Sequence, residues 1–153
     1  MTGVSIKNFT RSSLGGSGAV FPTIAASILP TWNISLVFVG SKRARDLNKR
    51  LRGKTYTPNV LSYEVGKKSG EIFICLQEAK KQAPLHSMNE KTFVVFLFIH
   101  GLLHLKGWAH GVRMERCEQK LLAQFINSHV ATHNNRNRHR HVPDKNGRGR
   151  GTD

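Results

Sequence analysis

From Val4 to Phe9 (VSIKNF) apolar and polar residues alternate, the period-two signature of a strand, and a Gly/Ser-rich loop follows (TRSSLGGSG). The apolar run Ala19–Leu29, with Pro22 near its start, predicts a short first helix. In WNISLVFVG, Ile34, Leu36 and Phe38 share one face while Val37 and Val39 fill the other. A strand apolar on both faces is covered on both sides. Ser41 is placed to cap the next helix, SKRARDLNKRLRG, and Gly53 to end it. NVLSYEV and EIFICLQ predict two strands joined by GKKSG as a hairpin.

EAKKQA predicts a short helix stopped by Pro84. Ser87-x-x-Glu90 matches a capping box and predicts a helix from about Met88 to Lys106. Phe93–Ile99 is apolar throughout, so that helix must be buried on most sides. A last helix, RMERCEQKLLAQFIN, turns Met114, Cys117, Leu121, Leu122 and Phe125 to one face. The order βαβαββααα specifies an α+β domain, a small mixed β-sheet packed with helices around one central buried helix.

From about Ser128 the apolar pattern stops. SHVATHNNRNRHRHVPDKNGRGRGTD holds too little apolar surface to fold alone, so residues 128–153 are expected to form a basic, disordered tail behind a single domain at 1–127. Charge adds a partner class: 24 Lys+Arg against 9 Asp+Glu, a formal +15, favours polyanions over other ligands. Cys75 and Cys117 form no CxxC pair and sit in apolar patterns, which predicts reduced core thiols. No segment is long enough to span a bilayer. The Ala19–Leu29 run faintly imitates a signal peptide, but a strand and loop precede it, so a cytoplasmic protein is expected.

The apolar run ends in HGLLHLKGWAH. His100 and His104, four residues apart, share one helix face at a Cβ separation of about 5–6 Å. Gly107 ends the helix and lets the chain return His110 to the same point. A histidine pair on a buried helix is often mere packing. The third histidine after a helix-ending glycine shifts the balance toward a metal site, and three imidazoles without an obvious fourth ligand suit an open, catalytic one. Gly101 inside the helix costs about 1 kcal/mol relative to alanine, which suggests close approach to the backbone there.

HGLLHLKGWAH resembles the signature of the YbeY family, His-Gly-x-x-His-Leu-x-Gly-x-x-His. The resemblance runs from about Val4 to Ile126. It includes ISLVFVGSKRARDLNKRLRGKTYTPNVLSY, with Arg-Gly-Lys and Asn-Val-Leu-Ser elements, and GEIFI, with Glu71 in place of an aspartate. Ala109 stands where the family commonly has an aspartate before the third histidine.

The resemblance implies a single-strand-specific, metal-dependent endoribonuclease in late maturation of small-subunit ribosomal RNA and in ribosome quality control. It implies His100, His104 and His110 as ligands of one zinc ion per chain, with other divalent transition metals able to take its place. Such an ion acidifies bound water and polarises a phosphoryl oxygen. Arg52, in the Arg-Gly-Lys element, is implied as the catalytic phosphate grip, because a guanidinium binds two phosphate oxygens at once. Lys42, Arg43, Arg45, Lys49, Arg50 and Lys54 would extend an RNA track, although a charged helix face is often only solvated.

Implied partners are ribosomal RNA and the small ribosomal subunit, with a ribosomal protein or an assembly GTPase beside them. Trp108 either packs or stacks on a base, and Ser62 and Glu71 are near the expected cleft without an assigned role. Two alternatives stay open: another three-His hydrolase such as a protease, and a ribosome-associated RNA-binding factor with little catalysis. The protease lacks an HExxH glutamate, because position 101 is glycine.

Overall fold

The computed structural model describes residues 3–13 and 18–137, with side chains described up to residue 127. Its elements are β1 (Gly3–Asn8), α1 (Val20–Ile28), β2 (Asn33–Val39), α2 (Ser41–Arg52), β3 (Val60–Gly66), β4 (Ser69–Cys75), α3 (Leu76–Gln82), a 3-10 turn (Ala83–His86), α4 (Glu90–Leu105) and α5 (Val112–Asn137). The sheet order is β1-β2-β4-β3. β1, β2 and β4 run parallel, while β3 is the antiparallel hairpin partner of β4. The fold is therefore the expected α+β arrangement on a small mixed sheet.

Strand alternation divides the core. Ile34, Leu36 and Phe38 of β2 and Ile72 and Ile74 of β4 face α1, α4 and α5 in the main core. Val37, Val39 and Cys75 face the other way, where α2 covers them through Ala44. Burial of Phe93, Phe98, Ile99 and Leu102 seats α4 in the centre. Each such side chain contributes about 1.5–3 kcal/mol, which together outweighs the helix penalty of Gly101.

Gly101 also has a packing reason. A Cβ there would lie 3.2 Å from both Cδ1 and Cγ2 of Ile72, so the close approach is that of strand β4. At the other end, a Cβ on Gly70 would lie 2.6 Å from Leu105 Cδ1. Two glycines, one on each element, let α4 lie against β4.

Several boundaries differ from the sequence expectation. Gly40, in extended geometry, is the N-cap of α2; Ser41 is its first residue, and its hydroxyl bonds Gln77 Oε1 instead of the helix end. Ser87 does not cap α4, because it closes the 3-10 turn in a left-handed conformation at φ 55°. Asn89 does so from extended geometry, its side chain accepting from Thr92 N at 2.8 Å, and α4 begins at Glu90 instead of Met88. Leu76 and Gln77 belong to α3 and not to β4. α5 continues through Ser128 to Asn137, since extending a formed helix needs no new nucleus. The expected disorder from 138 to 153 lies outside the described residues.

Candidate metal centre

α4 presents His100 and His104 on successive turns. Past the C-cap Lys106, Gly107 adopts φ +100°, a conformation that L side chains rarely take, and the helix cannot continue. Two hydrogen bonds hold the reversal, Gly107 N to His104 O and Trp108 N to Leu103 O, each 3.0 Å. The returning chain brings His110 beside the pair. Its ring centroid lies 4.4 Å from that of His104 and 5.1 Å from that of His100. The three ligand nitrogens lie within 4.8 Å of one another.

His100 Nε2 and His104 Nε2 face each other at 3.1 Å. Two nitrogens bound tetrahedrally at about 2.0–2.1 Å from one ion sit roughly 3.3–3.4 Å apart, so the pair is close to ligating geometry. The outer nitrogens are engaged in the manner of metal-bound histidines. His100 Nδ1 lies 2.7 Å from Glu118 Oε1, and His104 Nδ1 lies 3.0 Å from Trp108 O. Both partners are acceptors, so Nδ1 carries the proton in each ring. Both Nε2 lone pairs are then free at the point of convergence.

Glu118 is 4% exposed, and a buried carboxylate of this kind requires a donor such as the His100 ring. The His104 pKa is lowered by burial first, then by the neighbouring His100 and His110, which favours the neutral ligating form. Among the described residues the metal-ligating cluster has three members, all imidazoles. Such a donor set fits a borderline divalent ion such as zinc and leaves a coordination position for water or substrate.

His100 and His110 border a cleft of about 790 Å³ between α4, α5 and the start of β3, lined also by Asn59, Phe96, Arg116, Glu118 and Gln119. Arg116 is exposed on α5 and brings a guanidinium to this wall. Arg52, the sequence candidate for that role, is not among the residues lining the cleft. It sits exposed in the last turn of α2, on the helix that covers the other face of the sheet, and its Nη1 donates to Tyr56 Oη at 3.1 Å.

Lys42, Arg43, Arg45, Lys49 and Arg50 are exposed on the same helix, with Lys54 just beyond Gly53. Arg45 Nε donates to Thr57 Oγ1 at 3.2 Å. Glu71 also faces away from the histidines. The register sets it opposite Tyr63, whose hydroxyl donates to Glu71 Oε2 at 2.5 Å. Burial first, then the Glu71 bond, pushes the Tyr63 pKa up to about 12. Ser62 is half-buried opposite Ile72, on the face that α4 covers, and does not line the cleft. Trp108 packs against the main core, with the Arg113 guanidinium 4.8 Å above its ring and its carbonyl on His104.

Glu118 and Arg116 were not singled out from the sequence. A signal existed for Glu118: it sits four residues from both Met114 and Leu122, on the face of α5 that turns inward.

Comparison with known proteins gives a consistent outcome. The profile of endoribonuclease YbeY matches residues 20–130. Endoribonuclease YbeY of Phytoplasma australiense is 30% identical over 138 residues, covering 80% of this chain and 94% of that protein. That of Phytoplasma mali is 34% identical over 110 residues, covering 70% and 74%. That of Mesoplasma florum is 30% identical over 103 residues, covering 60% of this chain and 61% of its own. The solution structure of TM1509 from Thermotoga maritima superposes with a TM-score of 0.62 at 19% identity, covering 84% of this chain and 93% of the other, so the fold is shared. The chain belongs to the YbeY family of endoribonucleases.

Proposed function

We propose that this chain is a single-strand-specific, metal-dependent endoribonuclease that acts in the cytoplasm on small-subunit ribosomal RNA, in late maturation and ribosome quality control. The observation that carries it is the convergence of His100 Nε2 and His104 Nε2 while both Nδ1 atoms are held by acceptors. His110 completes the set. A divalent ion held there, zinc above all, supplies a Lewis acid for the phosphoryl group and a more acidic water.

The chain's own residues do the rest. Glu118 and the Trp108 carbonyl fix ring tautomer and orientation. Arg116 offers a two-pronged grip on a phosphate beside the histidines, and Arg52 grips a phosphate further along the strand. The cations Lys42, Arg43, Arg45, Lys49, Arg50 and Lys54 extend the contact to more distant phosphates. The basic surface supports RNA as the partner, and the reading extends it to small-subunit RNA with a ribosomal protein or an assembly GTPase beside it. A peptidase on the same histidines lacks a base, since Gly101 holds the position of the HExxH glutamate.

Incubation of zinc-loaded protein with precursor small-subunit RNA, followed by mapping of the new ends, tests this directly. Discrete cuts in single-stranded segments that vanish with His104→Ala are expected. Peptide turnover with intact RNA would replace the proposal with a peptidase. RNA binding without cuts would replace it with an assembly factor.

A further inference from the structure

On the face of the sheet away from the histidines lies a second groove, of about 620 Å³, lined by Gly40, Lys42, Arg43, Asp46, Arg50 and Phe73. We propose that this groove is a separate docking site for single-stranded RNA, in which Lys42, Arg43 and Arg50 bind phosphates while Phe73 and Phe9 offer rings to bases. The inference deepens the ribonuclease reading and rests on it.

Charge comes first. α2 carries six cations and one acid, Asp46, in twelve residues. Among the residues with described side chains no Lys or Arg is ion-paired with a carboxylate. Arg45 and Arg52 are engaged with Thr57 and Tyr56, whereas Lys42, Arg43 and Arg50 line the groove. Glu71, another acid on this face, accepts from the Tyr63 hydroxyl and does not line the groove. Three cations around one concavity, facing one lining acid, is a phosphate-binding arrangement.

The aromatic rings separate RNA from an acidic peptide. Phe73 lines the groove and is backed by Tyr63, rings stacked at 6.0 Å and 18°. Phe9 is 60% exposed just past β1, and the Arg43 guanidinium lies 4.7 Å over its ring. A large exposed ring under a groove cation gives a base a π-face beside its own phosphate; carboxylate side chains gain nothing from it. The groove volume lies within the roughly 300–1,000 Å³ of ordinary ligand clefts. A strand held here and at the histidines passes around an edge of the sheet, so the groove raises the local concentration of a long RNA at the cleft.

The test is fluorescence anisotropy of the zinc-loaded full chain with a labelled 2′-O-methyl oligouridylate, confirmed intact by gel afterwards. Arg43→Glu/Arg50→Glu, with unchanged circular dichroism and zinc content, is expected to weaken binding at least tenfold. It should also lower the slope of log affinity against log salt by about 1.4, or 0.7 per lost phosphate contact. Phe9→Ala is expected to weaken binding at least about fivefold with no change of slope. Unchanged affinity and slope in the double variant would overturn the site, and unchanged affinity in Phe9→Ala would overturn base stacking. Competition by poly-glutamate equal to that of the oligonucleotide would overturn RNA as the occupant. Binding is read on an oligonucleotide that stays intact, so failure of the ribonuclease reading alone shows as uncut precursor RNA in the end-mapping assay with these binding changes still present.

Discussion

Glu118 Oε1 lies 2.7 Å from His100 Nδ1, a contact between residues eighteen positions apart on two different helices. It makes α5 part of the candidate metal centre, although α5 supplies none of its three imidazoles. Removing such an orienting carboxylate from a histidine site costs about 10- to 100-fold in metal affinity. Glu118→Ala should fall in that range, and Glu118→Gln should fall less, because its amide oxygen still accepts from Nδ1–H. Chelator competition for zinc in the three proteins measures both. Equal affinities throughout would mean that the contact is only packing.

His104 gives the centre a pH signature. Its pKa is held below the ordinary 6.5 by burial and by the two neighbouring histidines. The folded chain therefore binds fewer protons than the unfolded chain just below that value. Stability from the neutral ring is complete above pH 6.5 and declines as pH falls from there toward the lowered native value. Metal-free protein should show a falling Tm across this acidic window, and His104→Gln should flatten part of the fall. Parallel curves for wild type and variant would contradict the assignment.

Much of this was legible in the sequence, for identifiable reasons. Period-two and period-3.6 patterns fix the order of strands and helices, because residues such as Leu36 and Phe98 must be buried whatever the rest of the chain does. The histidine spacing sets the centre for a local reason: a helical turn and one left-handed glycine suffice. Caps were less legible, since Ser87 and Asn89 both suit a helix start and the preceding 3-10 turn decides between them. Long-range contacts were least legible. Nothing near Arg52 or Glu71 states on which face of the sheet it falls, and Glu118 meets His100 only through the packing of α5 on α4.

Gly101→Ala sets two effects against each other. Alanine favours the helix by about 1 kcal/mol. Its Cβ would meet two carbons of Ile72 at 3.2 Å, and Ile72 is wholly buried with little room to yield. Overpacking of this kind costs typically about 1–3 kcal/mol, so a net loss of about 1 kcal/mol is expected from urea denaturation. Ile72→Val removes one of the two contacts, and the double variant should be more stable than the sum of the single changes. Simple additivity would show that the helix shifts freely on the strand.

Arg52 and Arg116 should separate by kinetics. Arg116 lines the histidine cleft, whereas Arg52 lies on the helix across the sheet. A grip on the phosphate being cut is stronger in the transition state than in the bound substrate, so its loss lowers kcat. A grip on a flanking phosphate acts equally on both states and raises KM. Arg116→Ala is therefore expected to lower kcat on a single-stranded RNA about 10- to 100-fold with zinc content intact. Arg52→Ala should mainly raise KM, about three- to tenfold, and lose most of its effect on an oligonucleotide too short to reach α2. A kcat loss confined to Arg52→Ala would return the catalytic role to the Arg-Gly-Lys element. It would also require that Arg52, at the opposite end of the α2–β3 connection from the cleft-lining Asn59, reach the cleft when RNA binds.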